Sequence, residues 1–316
     1  MSLVKARDIF FCYFYFMDFG TVAPELIREV DFTLAPDTEL TRNVLKTVDA
    51  TNNPDIYVGC AKWDRREWIG MIYPEKTNEA KYLDEYLKRF NSIELNAVFY
   101  KMPTSDQIIK WREKAENERQ DFKFCPKVTQ GISHIKRLKG AEALTNTYLE
   151  RISHFGKYLG PVFLQLSDNF GPKNFDVLEN YLSGLPGDFD LFVELRHKDW
   201  FADNEIRKRV FDMLRKLNRG AIITDSTGRR DCVHMELTTP NAFIRFVGNG
   251  IQNVDFPRID AWADRLHSWM DQGLQSVYFF LHQHDERNTP ELADYTIRKF
   301  NEKLYAGLEP PKFLNR

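Results

Sequence analysis

Short apolar runs alternate with amphipathic stretches eight times between residues 55 and 305, and few architectures accommodate that rhythm in one chain. The runs at 56–60, 93–96, 122–126, 161–166, 191–196, 221–225, 242–247 and 276–281 are strand-length, bounded by turn residues and rich in Val, Ile and Phe. Helical periodicity occupies 79–90, 105–116, 141–158, 175–182, 204–217, 258–270 and 291–304. Start signals support two of these helices: Thr104 with Gln107 forms a capping box, and Thr289-Pro290 places a cap before a first-turn proline. Repetition on this scale, over about 250 residues, predicts an α/β fold of the (β/α)8 TIM-barrel-like type, with a doubly wound open sheet as the alternative. The sixth unit departs from it, because 226–241 has no helical pattern and reads as an irregular loop over the barrel mouth.

The strands end in ionisable groups. Burying a carboxylate costs several kcal/mol unless it is paired, so a strand carrying one inward implies a partner or a ligand. Alternation places Glu94 with Asn96, Glu194 with Arg196, and Cys125 with Lys127 on common faces. Their neighbours Ile93, Leu95, Val193 and Leu195 suit the helix-facing layer, so the polar sets are expected to face the barrel axis. Gln165, Asp225, Arg245 and His282 end other runs and complete a ring of mixed charge at the face where barrels carry their active sites. Each has a plainer reading: Glu194 and Arg196 as an internal ion pair, Asp225 as the start of a turn with Ser226, Lys127 as a solvated loop lysine.

Near-equal acidic and basic counts give a net charge of −2, so any anion-binding patch is local; nucleic acid is not excluded as a partner, and an anionic membrane has no global support. The four cysteines form no CxxC pair, which suggests neither a zinc knuckle nor a disulfide framework and fits a reducing cytoplasm. Cys60, at the first strand end, reads either as a thiol nucleophile or as a buried structural cysteine. Residues 1–54 read as an N-terminal extension and 306–316 as a C-terminal tail. Within the extension, the aromatic stretch from Ile9 to Phe16 imitates a signal peptide but is followed by Asp18 rather than a small-residue cleavage site, and Met17 offers an alternative start. No other apolar run approaches the roughly 20 residues that span a bilayer.

His282 and His284 stand two apart, a spacing that suits a metal ligand pair or ordinary loop polarity. His197 follows a strand directly, and His134 lies in a loop able to close over a ligand. Trp63, Trp68, Phe99, Tyr100 and Trp200 gather shortly after strand ends, where aromatic faces either stack on a ligand or anchor loops. No HExxH, P-loop, dinucleotide fingerprint or GxSxG elbow occurs.

Val58-Gly59-Cys60-Ala61-Lys62-Trp63, Tyr73-Pro74, and the run from Phe90 through Ser92-Ile93-Glu94-Leu95-Asn96 to Tyr100 with Pro103 together resemble the YecE-like family, domain of unknown function 72. Trp111, Phe122-Lys123-Phe124 with Lys127, His134, Gln165-Leu166, Val193-Glu194-Leu195-Arg196-His197 with Trp200, Asp225, and Ile244-Arg245-Phe246 with Gly248 extend the likeness from about Tyr57 to Phe300. The resemblance implies a TIM-barrel-like fold and supplies no activity. Family members tend to end the last strand in asparagines, where this chain has His282-Gln283-His284.

The expectation drawn from the residues is an enzyme, a hydrolase or isomerase, acting on an anionic substrate such as a phosphorylated sugar or nucleotide-like compound. Arg196, Arg245 and Lys127 would hold the anion. Glu94 and Glu194 would share acid and base work if their environments separate their pKa values, or form a glycosidase-type pair if they instead face each other across a sugar, and Asp225 would orient a partner. His134 and Trp200 would contribute to a lid, with Lys62, Trp63, Asn96, Gln165, His197 and His282 lining the substrate site. Two rival readings are a divalent-metal enzyme using Glu94, Glu194, Asp225 and His282, and a non-catalytic module binding a metabolite or protein.

Overall fold

The computed structural model describes residues 22–23, 25–49 and 54–314. The signal-like aromatic stretch and Met17 lie outside the described residues. Eight parallel strands, β1 (Asp55–Cys60), β2 (Ser92–Leu95), β3 (Lys123–Pro126), β4 (Val162–Gln165), β5 (Leu191–Glu194), β6 (Gly220–Asp225), β7 (Asn241–Gly248) and β8 (Ser276–Gln283), pair in the order β3-β2-β1-β8-β7-β6-β5-β4. The two ends of that sheet meet through isolated parallel bridges, Phe124 with Leu159 and Lys127 with Phe163. The sheet is thus a nearly closed TIM-barrel-like cylinder, with each strand within a residue or two of its sequence expectation.

Ten α-helices accompany it among the described residues: α1 (Glu39–Leu45), α2 (Tyr82–Leu87), α3 (Ala97–Tyr100), α4 (Ser105–Glu118), α5 (Glu142–Ser153), α6 (Phe175–Ser183), α7 (Asp199–Ala202), α8 (Asn204–Lys216), α9 (Gln252–Met270) and α10 (Thr289–Leu304). The Thr104 cap is formed, its side chain accepting from the Gln107 backbone N–H. Helix α9 starts six residues before the expected position and runs through Pro257. Asp255 accepts the Asn249 and Ile251 backbone N–H groups at 2.8 and 3.2 Å, which secures the first turn ahead of the proline.

The missing sixth helix has a substitute. Residues 226–240 contain only a 3-10 turn, Thr227–Cys232, and extended chain. Helix α1 of the N-terminal extension lies against that segment: Thr41 Oγ1 donates to the Met235 carbonyl at 2.6 Å and accepts the Leu237 N–H at 2.8 Å. On one flank Leu40 and Asn43 share a cleft with Phe211 and Arg215 of α8, and on the other Asp37 accepts from Arg265 and Trp269 of α9 at 2.9 and 3.0 Å. Val44 and Leu45 are buried in the helix-layer core. The extension therefore fills, from the wrong end of the chain, the gap between α8 and α9 that the sixth unit leaves, and its apolar residues enter a shared core rather than a separate one.

Along the barrel axis the side chains change character. Tyr57, Cys125, Phe163, Phe192, Ile222, Phe243, Tyr278 and Phe280 form a separate apolar cluster inside the cylinder. Tyr57 stacks on Tyr278 at 4.7 Å, and Phe243 meets Phe163, Phe192 and Phe280 at 4.9–5.5 Å. Because inward residues recur every second position, the next layer toward the C-terminal face comes from the residues two further on: Lys127, Gln165, Glu194, Thr224, Arg245 and His282, joined by Glu94.

Candidate active site

That layer is one hydrogen-bonded network. Arg245 places a fork on Glu94, Nε to Oε2 and Nη2 to Oε1, both at 2.9 Å, and its Nη1 donates to Glu194 Oε2 at 2.6 Å. Glu94 also receives Asn96 Nδ2 at 2.8 Å and lies 2.9 Å from His282 Nε2. Glu194 receives Gln165 Nε2 at 2.7 Å, Thr224 Oγ1 at 2.8 Å and Arg196 Nη1 at 3.4 Å. Glu94 and Arg245 are fully buried and Glu194 nearly so. Such carboxylates persist only because cations and donors saturate them.

Burial pushes the Glu94 carboxyl up, but Arg245 and His282 outweigh it and hold the group well below the usual carboxylate range. Burial acts likewise on Glu194, which Arg245 and Arg196 hold down at about 2. Both are therefore ionised at neutral pH, and the expected separation of their pKa values into an acid and a base is absent.

Lys127, one residue past β3, has a different setting. It is buried, its Nζ donates to Gln165 Oε1 at 2.7 Å, and it lies 4.1 Å from the Phe99 ring centroid. Glu194 can only accept, so the Gln165 amide is turned with its oxygen toward the amine. Burial, and then the positive field of Arg245, lowers the Lys127 amine to about 7. Beside it, Asn96 Oδ1 is buried and accepts no hydrogen bond. Lys127 N–H donates to the Leu95 carbonyl at 3.2 Å, which sets the ends of β2 and β3 side by side.

A loop turns over this corner. His134 sits in a π-helical turn, Gly131–Ile135, edge-on to Phe99 at 5.0 Å, with Nδ1 2.8 Å from Ser133 Oγ. Burial and the Lys127 charge press its imidazole down to about 4. Just past that turn, Arg137 and Leu138 hold φ of 51° and 67°, a left-handed conformation costly for side chains with a Cβ. Arg137 is fixed there by Asn169 and Ser167 of the β4 loop. Arg196 completes the rim, its Nε on Asp168 at 2.7 Å.

Several sequence expectations are corrected. Asp225 does not face the axis: Ile222 belongs to the axial cluster, so alternation turns Thr224 inward and Asp225 outward. Its carboxylate is taken by Arg258 at 3.0 Å, Trp262 Nε1 at 2.8 Å and Arg230. The residue missed in its place is Thr224, legible from the same parity. Trp200 forms no lid; it is fully buried and donates to the Phe170 carbonyl at 2.8 Å, anchoring the loop. Trp63 packs edge-on to Trp111 of α4 at 5.3 Å, in the helix layer, and Lys62 is exposed. His197 accepts the Asp199 N–H at 3.2 Å outside the network. Arg245 has its donors on carboxylates rather than open to an anion. Among the described residues no three His, Cys, Asp or Glu side chains group as a metal site, and the expected ligand set is split by the outward turn of Asp225. Buried Cys60 is pushed well up by burial, which makes it a poor nucleophile.

Comparison with known proteins agrees with the barrel. The chain is 30% identical over 256 residues to the UPF0759 protein YecE of Escherichia coli strain K12, covering 75% of this chain and 90% of that protein. It is 25% identical over 154 residues to the UPF0759 protein YunF of Bacillus subtilis strain 168, covering 46% and 52%. A crystal structure of a DUF72 family protein from Enterococcus faecalis V583 superposes with a TM-score of 0.61 at 17% identity, over 79% of this chain and 99% of that one. The family model described as protein of unknown function DUF72 matches residues 57–313, and the chain belongs to that family, with helix α1 lying outside the matched region.

Proposed function

We infer that this protein is an enzyme that moves protons on a small anionic substrate, a phosphorylated sugar or nucleotide-like compound, at the C-terminal mouth of the barrel, as an isomerase or hydrolase. The observation that carries this reading is the Lys127 amine: a buried lysine at a strand end, lowered to about 7, exists in both protonation states at neutral pH. A group with that property serves as a general acid or base, which a locked carboxylate does not. Glu94 and Glu194 hold Arg245, Gln165 and Thr224 in place and thereby set the amine's surroundings. Anion binding is supported at Arg196, whose outer partner Asp168, shared with Arg229 at 3.6 Å, is 62% exposed. Arg137 and Lys127 add positive field at the same rim, where both depress His134.

The test is a thermal-shift panel of sugar phosphates, nucleotides and neutral sugars on wild type, Lys127→Met and Arg196→Gln. A ligand at 100 times its Kd stabilises by about 2.7 kcal/mol. Stabilisation by phosphorylated compounds alone, weakened in both variants, is the expected result. Equal stabilisation of all three proteins, or none by any anion, would contradict the reading.

A further inference from the structure

We propose that the rim of the barrel mouth formed by the β2 and β3 loops is a docking surface for single-stranded nucleic acid, with phosphates on a basic arc and a base against Tyr100. The surface adjoins the mouth discussed above and goes beyond that reading, since it needs no chemistry from the Lys127 amine. It begins in composition. Asp and Glu make up 46 of the 316 residues, yet neither occurs in 96–105 or in 122–141, the stretches that carry these two loops. The structure sets the loops side by side: Thr129 Oγ1 donates to the Phe99 carbonyl at 3.2 Å, Gln130 Nε2 to the Tyr100 carbonyl at 3.3 Å, and the Phe99 ring meets both Tyr100 and His134 edge-on at 5.0 Å. Lys101, Lys136, Arg137 and Lys139 therefore share one rim to which neither loop brings a carboxylate.

Lysines elsewhere on the surface are balanced. Lys81, Lys88, Lys208 and Lys299 each hold an acid three or four residues away along the chain, the usual arrangement of a solvated helical face. Lys101, Lys136 and Lys139 are exposed and make no ion pair among the described residues. On a chain of net charge −2, such a local excess suits an anion supplied from outside.

Two apolar side chains indicate which anion. Ile135 is 73% exposed and Tyr100 52%, and each directly precedes a lysine of the patch. Phosphate alone gains nothing from them, whereas a base stacks on an aromatic ring and packs on an aliphatic side chain. The backbone is committed to this presentation: the π-helical turn and the left-handed Arg137 and Leu138 bury Leu138 in the core and leave Ile135, Lys136 and Lys139 outside. The arc continues over the next loops. Arg137 is bonded to Ser167 and Asn169, and Asp168 between them carries Arg196 at 2.7 Å and Arg229 at 3.6 Å. Cations spread along a curve over successive loops match a flexible chain of phosphates, whereas a bilayer calls for a larger apolar face than two side chains give.

The test titrates the full chain into fluorescein-labelled single-stranded DNA and RNA of one mixed sequence, about 12 nucleotides long, and reads fluorescence anisotropy. Polyphosphate is the competitor, and sedimentation with phosphatidylserine vesicles runs in parallel. Contacts from the four rim cations predict binding that weakens about 50-fold between about 50 and 200 mM salt, and Lys136→Gln with Lys139→Gln should lower the slope of log K against log salt by about 1.4. Tyr100→Ala should weaken binding by about fivefold or more while Tyr100→Phe retains it, the signature of stacking. These side chains are exposed, so the thermal midpoints of the variants are expected to match wild type. Binding of either strand with this pattern supports the proposal, and a preference for RNA adds a contact to the 2′-hydroxyl. No binding of either strand at about 50 mM salt overturns it and leaves the small-anion reading of the mouth standing. Polyphosphate that binds as tightly as the oligonucleotides, with Tyr100→Ala unchanged, removes the bases from recognition and overturns it, as does sedimentation with vesicles without oligonucleotide binding.

Discussion

Two buried ion-pair clusters lie on opposite sides of the same barrel wall, one around Arg245 on the axis and one around Asp225 in the helix layer. Both hide their charges almost completely. In the outer cluster Asp225 is held by Arg258, Arg230 and Trp262, and Phe32 of the extension covers Arg258 and Arg230 at 4.5 and 5.4 Å, while Arg258 Nε is buried without a hydrogen-bond partner. The inner one leaves a buried acceptor unsatisfied on Asn96 and supports an amine that titrates near neutrality. Neither buried charge nor one unsatisfied polar atom, which both clusters contain, marks a site by itself; the inner cluster differs in supporting the lowered Lys127 amine.

That contrast can be broken most forcefully at its centre. Arg245→Met strands Glu94 and Glu194 without their shared cation and is expected to cost about 3–5 kcal/mol in urea unfolding. A loss under 1 kcal/mol would mean that solvent already reaches the carboxylates.

The inner cluster should also leave a pH signature. The folded pKa of Lys127 is below its unfolded value, so the unfolded chain binds more protons between about pH 7 and 10.4, and stability rises with pH across that window relative to Lys127→Met. Glu194 has the opposite sense: its folded pKa is depressed, so the stability it contributes is present above about 4.5 and lost as pH falls toward 2, relative to Glu194→Gln. Denaturant midpoints of the two variants, each subtracted from wild type, read both effects.

Asp225→Asn sharpens the comparison from the other side. It keeps an acceptor for Trp262 but removes the charge facing Arg258, an expected loss of about 1.5–3 kcal/mol, with phosphate-induced stabilisation unchanged. Loss of ligand response would move Asp225 into the site after all. The smallest effect belongs to Phe32→Ala, about 0.5–2 kcal/mol from two cation–π contacts, accompanied by faster amide exchange in residues 226–232.

The sequence made the barrel legible because strand and helix periods alternate cleanly, and it made most of the inner layer legible because Glu94, Gln165, Glu194, Arg245 and His282 end apolar runs. Asp225 shows why ending a run is insufficient: parity against Ile222 decides the face, and it favours Thr224. Trp200 and Trp63 were ambiguous because an aromatic after a strand anchors loops as readily as it stacks on a ligand. The placement of α1 between α8 and α9 had no local signal, since it depends on a gap left about 190 residues away, between Thr41 and its partners at 235 and 237. Among the described residues no helix is long and apolar enough to cross a membrane.

The most direct measurement is a heteronuclear NMR titration of the lysine side chains in wild type, with Lys127→Arg to assign the signal. One lysine signal is expected to lose its proton near pH 7 and to be missing from the variant spectrum. A Lys127 that keeps its proton up to the ordinary lysine value of about 10.4 would contradict this, and with it the acid–base chemistry built on that amine.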